Sequence, residues 1–296
     1  MDAVLPKPGS YVVAVSGGVD SVVLLDILSR QSGLELTVAH FDHGIREELA
    51  VDRKFVQTIA KGYGLPFVYE EGRLGPLASE AAARTGRYDF LRRVQKDRGA
   101  RAIITAHHQD DVLETAIINL IRGTGRKGLT ALRDRPELSR PLLKVPKHEL
   151  VAYAREQGLE WREDPTNLDV GYLRNYVRHK ILPRFEEPDR ARLVTLVTKM
   201  AATNEALDLV LQQLLGQQTA ENNIDRRWFA QLPHNVAREV MAAWLRSHGA
   251  AGFDSKTLER LVVAAKTAQA GKTFPVYGQT RLKIHTDHLA LAGSER

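Results

Sequence analysis

Residues 11–21 read YVVAVSGGVDS. An unbroken apolar run, Tyr11 to Val15, leads into two glycines between serines, with an aspartate after them. A run with no polar alternation is what a strand covered on both faces requires. The next stretch, VDSVVLLDILSR (19–30), has helical spacing and stops at Gly33. A strand, a glycine turn and a helix in that order make a phosphate cradle. Glycines let successive backbone N–H groups point into one concavity, and the helix start adds partial positive charge. The pattern is neither G-x-x-x-x-G-K-[ST] nor G-x-G-x-x-G. A Walker-type lysine reaches the β- and γ-phosphates. A loop that relies on its backbone instead suits pyrophosphate as a leaving group, with attack at the α-phosphate. Ser16, Gly17, Gly18, Val19, Asp20 and Ser21 are the candidate ATP-binding residues, and Asp20 is the candidate Mg2+ ligand. The plainer alternative is a turn that merely needs glycine.

Moving outward, the period keeps switching. Strand-like segments at 34–41, 66–70 and 101–107 alternate with helical ones at 47–64, 77–99 and 109–123, the second of these with a possible bend at Gly86. Such alternation argues an α/β fold with a doubly wound parallel sheet. Ligands then sit beyond the carboxyl ends of the strands. The polar clusters SGGVDS, HFDHGIR and HHQDD all fall at those ends. Another helix is expected at 147–158, and beyond about Pro183 the pattern turns helical and closes in a hairpin-like stretch at 273–292. The expected division is a nucleotide-binding catalytic domain at 1–186, a helical linker at 187–218 and a small α-rich domain at 219–296.

Composition narrows the chemistry. The 296 residues carry a net charge of +6, which suits a polyanionic partner. There is no cysteine, which excludes disulfides, Cys-based zinc sites, Fe–S clusters and persulfide chemistry on this chain. Neither a leader segment nor a membrane span is legible, so a cytoplasmic location is expected.

In HHQDDVLET, His107 and His108 end a strand while Asp110, Asp111 and Glu114 open a helix. Helix capping accounts for one of the aspartates. Asp111 and Glu114 share a helix face, so together they can hold an ammonium or a metal. A zinc site is the rival, although the spacing is not H-E-x-x-H. RGTGRKGL holds Arg122, Arg126 and Lys127 among glycines, either a helix C-cap at Gly123 or a basic loop over bound nucleotide or RNA. Arg174 and Arg178 are four apart, placed either to grip a carboxylate or phosphate or to form a solvated basic face. In AHFDHGIR, His40 with Asp42, His43 and Arg46 follows the second strand, and His40 is read either as an adenosine neighbour or as a buried, satisfied histidine.

These motifs carry a resemblance. AVSGGVDS resembles the signature of the PP-loop ATP pyrophosphatases, which split ATP into AMP and pyrophosphate to adenylate a substrate. AHFDHGIR, EAAARTGRYDFL, TAHHQDDVLET, RGTGRKGLTAL, RPLL and EDPTNLDVGYLRNYVR resemble the successive motifs of the tRNA(Ile)-lysidine synthase family over about residues 11–185. Val112 and Ala131 stand where that family usually has Gln and Gly. The weaker resemblance beyond 185 is to the family's shorter forms. It implies ATP and Mg2+ as cofactors. The partners it implies are L-lysine and tRNA(Ile) with a CAU anticodon, with a homodimer as a further expectation. The reaction would be adenylation of the wobble cytidine followed by attack of lysine. Asp20, Asp111, Glu114 and Arg174 are then the expected catalytic residues, with His108, Asp111 and Glu114 binding lysine. Arg84, Arg87, Arg122, Arg126, Lys127 and Arg178 are expected on tRNA or phosphate. The alternatives are a tRNA base thiolase, disfavoured without cysteine, or a small-molecule amide or urea synthetase on the same loop.

Overall fold

A computed structural model describes residues 3–42, 49–72, 80–163, 169–220, 223–250 and 252–293. His43, Arg46 and residues 164–168 of the EDPTN block lie outside the described residues. The chain divides into two compact units: residues 1–122 with 128–197, and residues 123–127 with 198–296.

The first unit is the doubly wound sheet. Strand β1 (Gly9–Ala14) lies at its centre, β2 (Leu34–Asp42) and β3 (Phe67–Glu71) lie to one side, and β4 (Ala102–Ile104) and β5 (Leu138–Ser139) lie to the other. Every pairing is parallel, with Val12 opposite both Thr37 and Ile103. The strand order reverses at β1, which puts the ligand crevice beyond its carboxyl end.

Alternation along β1 builds two cores. Tyr11, Val13 and Val15 pack with Val23, Leu24, Leu25 and Leu28 of α1 (Val19–Ser29) and with Leu150 and Ala154 of α6 (Lys147–Glu156). Val12 points the other way, into Phe90, Leu91 and Val94 of α3 (Glu80–Asp97). This two-sided cover is why the strand reads as an uninterrupted apolar run. Helix α3 passes through Gly86 as one element, so no break occurs there. A Cβ at Gly86 would lie 3.3 Å from the Phe41 ring, so the glycine serves close packing. Helices α2 (Leu49–Gly62), α4 (Gln109–Ile121) and α7 (Leu173–Tyr176) complete the unit, the last running into a π turn, Val177–Ile181. A four-residue helix, α5 (Arg126–Leu129), follows the glycine-rich turn.

Helix α8 (Glu187–Gln218) is one continuous element containing the unit boundary. The second unit adds α9 (Arg226–Gln231), α10 (His234–Ser247) and α11 (Ser255–Thr267). Trp244, Phe229, Met241 and Ile224 fill its core. The terminal hairpin is β8 (Thr273–Tyr277) with β9 (Thr280–Ile284), and it belongs to a larger antiparallel sheet. Strands β6 (Thr219–Ala220), β7 (Asn223–Asp225) and β10 (His288–Ala292) complete the order β6-β7-β10-β9-β8. Among the described residues no helix is long and apolar enough to cross a membrane.

Candidate active site

The turn after β1 is closed by its own side chains. Gly17 has φ +95°, a left-handed backbone that favours glycine, and Gly18 is the extended N-cap of α1. The Ser16 and Gly17 N–H groups both donate to Ser21 Oγ at 3.2 Å, and that hydroxyl donates to the Gly18 carbonyl at 2.9 Å. Two backbone donors thus converge on the Ser21 oxygen and pin the shape of the turn. The Arg162 N–H braces the turn from behind, on the Gly17 carbonyl at 2.9 Å.

Three helix starts meet beyond the strand ends. Asp20 lies in the first turn of α1, His108 caps α4, and Lys147 opens α6. Lys147 Nζ donates to both Asp20 oxygens, at 2.6 and 2.7 Å. His108 Nε2 stands 3.7 Å from Asp20 and 3.5 Å from Asp111, so one imidazole bridges the phosphate loop and the acidic helix. The His108 Nδ1 accepts the Asp110 N–H, while Asp111 accepts the His108 N–H at 2.9 Å. Asp111 therefore completes a capping box with one oxygen and presents the other to the arginines.

Glu114 is fully buried. Arg174 Nε reaches it at 2.8 Å, and Arg178 reaches it twice, with Nε at 2.6 Å and Nη2 at 3.0 Å. Both guanidinium groups also lie 3.4–3.5 Å from Asp111. The four-residue spacing, carried from α7 into the π turn, is what brings both to one acidic pair. They form no solvated basic face. A buried carboxylate needs such partners, since unpaired it would carry a large desolvation cost.

Burial is the largest influence on Asp111 and opposes its charge, but His108, His107, Arg174 and the His108 N–H together hold its carboxyl well below the usual range. Asp111 thus stays ionised, which suits it to hold an ammonium rather than to take a proton from one. Burial pushes the neighbouring His107 down to about 3, and the Asp111 charge only partly offsets this. Its Nδ1 lies 2.8 Å from the Thr105 hydroxyl.

His40 is buried, with its Nδ1–H on the Val15 carbonyl at 2.9 Å, the contacts of a satisfied packing histidine. The Arg84 and Arg87 guanidinium groups lie over the Tyr88 ring, 4.9 and 5.6 Å from its centre. Arg122 is exposed and caps α4, followed by Gly123 at φ +65°, so the C-cap reading describes this turn. Arg126 lies in the second unit, on Asp208 at 2.9 Å, Glu239 at 2.9 Å and Asn204 Oδ1 at 2.9 Å, and Lys127 adds a contact with Asp208 at 2.8 Å. Among the described residues no cluster of three His, Cys, Asp or Glu is placed to hold a metal by itself. Sequence reasoning missed Lys147, whose partner lies 127 residues away.

The PP-loop domain profile matches residues 4–185. The tRNA(Ile)-lysidine synthase of Exiguobacterium sibiricum is 32% identical over 289 residues, covering 94% of this chain and 68% of that protein. The chain belongs to the tRNA(Ile)-lysidine synthase family. The synthase of Thermotoga sp. strain RQ2 is 44% identical over 192 residues, 61% of this chain and 46% of its own length. That of Thermus thermophilus is 45% identical over 183 residues, 60% of this chain and 36% of its own length. The chain thus matches less than half the length of these two relatives. Among solved structures, the U34-tRNA thiolase NcsA from Methanococcus maripaludis superposes with a TM-score of 0.54 at 18% identity, over 67% of this chain and 74% of that one. That likeness is one of fold.

Proposed function

We propose that this chain uses ATP to join L-lysine to C2 of the wobble cytidine of a tRNA(Ile) with a CAU anticodon. The observation that carries the reading is the His108 bridge, which sets Asp20 of the phosphate loop within one side chain of the Asp111–Glu114 pair. This bridge supports adjacent sites for ATP cleavage and for an amine, as a two-step ligation requires.

In the first step the cytidine O2 attacks the ATP α-phosphorus, and the bond to the β-phosphate bridging oxygen breaks, releasing pyrophosphate. In the second, the lysine ε-amine attacks C2 and expels AMP with that O2, while the nitrogen gives up its protons to solvent. The Ser16 and Gly17 N–H groups fix the Ser21 hydroxyl, and the start of α1 beside this pinned turn suits the departing pyrophosphate. Asp20 fits Mg2+, because this ion uses one or two carboxylates together with substrate phosphates and water, and Asp20 is a half-buried hard oxygen donor beside the cradle. Mg2+ supplies charge stabilisation for the oxyanions of the leaving group. Asp111 is the counter-ion for the lysine ammonium, and Arg174 and Arg178 fix the acidic pair through Glu114. A cytidine in an anticodon loop is reached by unstacking the base, which single-stranded RNA permits cheaply.

Asp20→Asn tests the loop's part in this reading. AMP formation with tRNA(Ile), lysine and MgATP is expected to fall by at least about a hundredfold, as for loss of a charge-stabilising group, with the circular dichroism spectrum and tRNA affinity retained. Undiminished AMP formation would overturn the assignment.

A further inference from the structure

The loop's own sequence has no lysine, yet the fold delivers one. We infer that Lys147 is a polyphosphate-binding residue of the SGGVDS site, supplied from the start of α6. The inference rests on the reading of that loop as an ATP site and adds a residue to it.

Lys147 Nζ lies 2.6 and 2.7 Å from the Asp20 oxygens, and among the described residues its hydrogen bonds go to Asp20 alone. An ammonium carries three N–H donors. The side chain is 38% exposed and Asp20 27%, so the pair borders solvent at the mouth of the cradle. A phosphate served by Asp20 through a divalent cation is within one lysine side chain's reach of Nζ.

Lys147 is the first residue of α6, after the N-cap Pro146. A cation there faces the positive end of the helix dipole and is disfavoured by it. Helical preference therefore does not explain this lysine, and such breaches of local rules collect at functional sites.

Helix α6 lies beside α1 on two polar rungs six residues apart along each helix: Asp20 with Lys147, and Asp26 with Tyr153. Asp26 is buried and accepts the Tyr153 and Tyr63 hydroxyls at 2.7 Å each and Arg30 at 3.0 Å. Leu150, between the rungs, and Ala154, just past the second, are fully buried in the core that holds α1. The backbone that carries Lys147 is thus fixed, and only the flexible stem is free to swing. Divalent cation and ammonium repel one another at a shared carboxylate. Lys147 then exchanges Asp20 for phosphate oxygens when MgATP binds.

MgATP binding by equilibrium dialysis separates this from a mere ion pair. Lys147→Met is expected to weaken MgATP by about ten- to a hundredfold, the worth of one charge-assisted hydrogen bond. Lys147→Arg should stay within about threefold of wild type, since it keeps the charge. Adenosine, with no phosphate, should bind both variants as it binds wild type. In turnover the KM for ATP should rise while that for lysine stays put. If Lys147 only neutralised Asp20, Lys147→Met would bind MgATP as tightly as wild type or more tightly, and the inference would fall. Should the methionine variant fail to fold, Lys147→Gln carries the same expectation and the same refutation. A wild-type protein that does not bind MgATP would overturn the loop's reading itself, and the inference with it.

Discussion

His107 and Asp111 give the site a sign in its pH dependence. In the folded protein His107 takes a proton only near about 3, whereas in the unfolded chain it does so near its ordinary 6.5. Between those values the unfolded state binds more protons, so stability falls as pH drops below about 6.5. Asp111, held below its ordinary 3.8, adds stability that is present above that value and is lost as pH falls further. Urea midpoints for wild type and His107→Asn between about pH 8 and pH 4.5 test the first window. Wild type should lose stability steadily below about 6.5, and the variant should show a flatter slope there. Parallel slopes would show that His107 is not held neutral by burial.

At the scale of elements, the turn between β1 and α1 sets two glycines apart. Gly17 needs its positive φ, while the space for a Cβ is ordinary, 3.4 Å from Phe55 and Val56. Gly18 has an extended backbone, φ −72°, and a Cβ there would meet nothing closer than 3.6 Å. Gly17→Ala should therefore cost about 1–2 kcal/mol through backbone strain, and Gly18→Ala less than about 0.5 kcal/mol, as read from urea unfolding. Equal costs would mean that the loop's strain is not where the backbone places it. Much of this element-level structure was legible in the sequence. The apolar run of β1, the helical period of α1 and the acidic start of α4 are local signals, and local signals survive in one dimension. Two kinds of feature were not legible. Strands β6 and β7, of two and three residues, are too short to show a period. Contacts across the chain leave no spacing to read: Lys147 on Asp20, Arg174 and Arg178 on Glu114, and Arg126 on Asp208 and Glu239. In each case the residue type was visible and the partner was not. His40 is ambiguous for a different reason, because a polar side chain at a strand end looks the same whether it faces a ligand or a carbonyl.

At the scale of the whole molecule, the basic balance of +6 fits an RNA partner. The 296 residues hold no cysteine and so offer no thiol for a persulfide. Segment 123–127 belongs with the second unit, where Arg126 pairs with Asp208 and Glu239, whereas Arg122 of the first unit is exposed. The most direct test of the account is transfer of radiolabelled lysine to RNA. With MgATP present, label should enter tRNA(Ile) bearing a CAU anticodon, with one AMP formed per lysine joined, and it should not enter when ATP, lysine or tRNA is withheld. No incorporation, or equal incorporation into tRNA(Met), would contradict it.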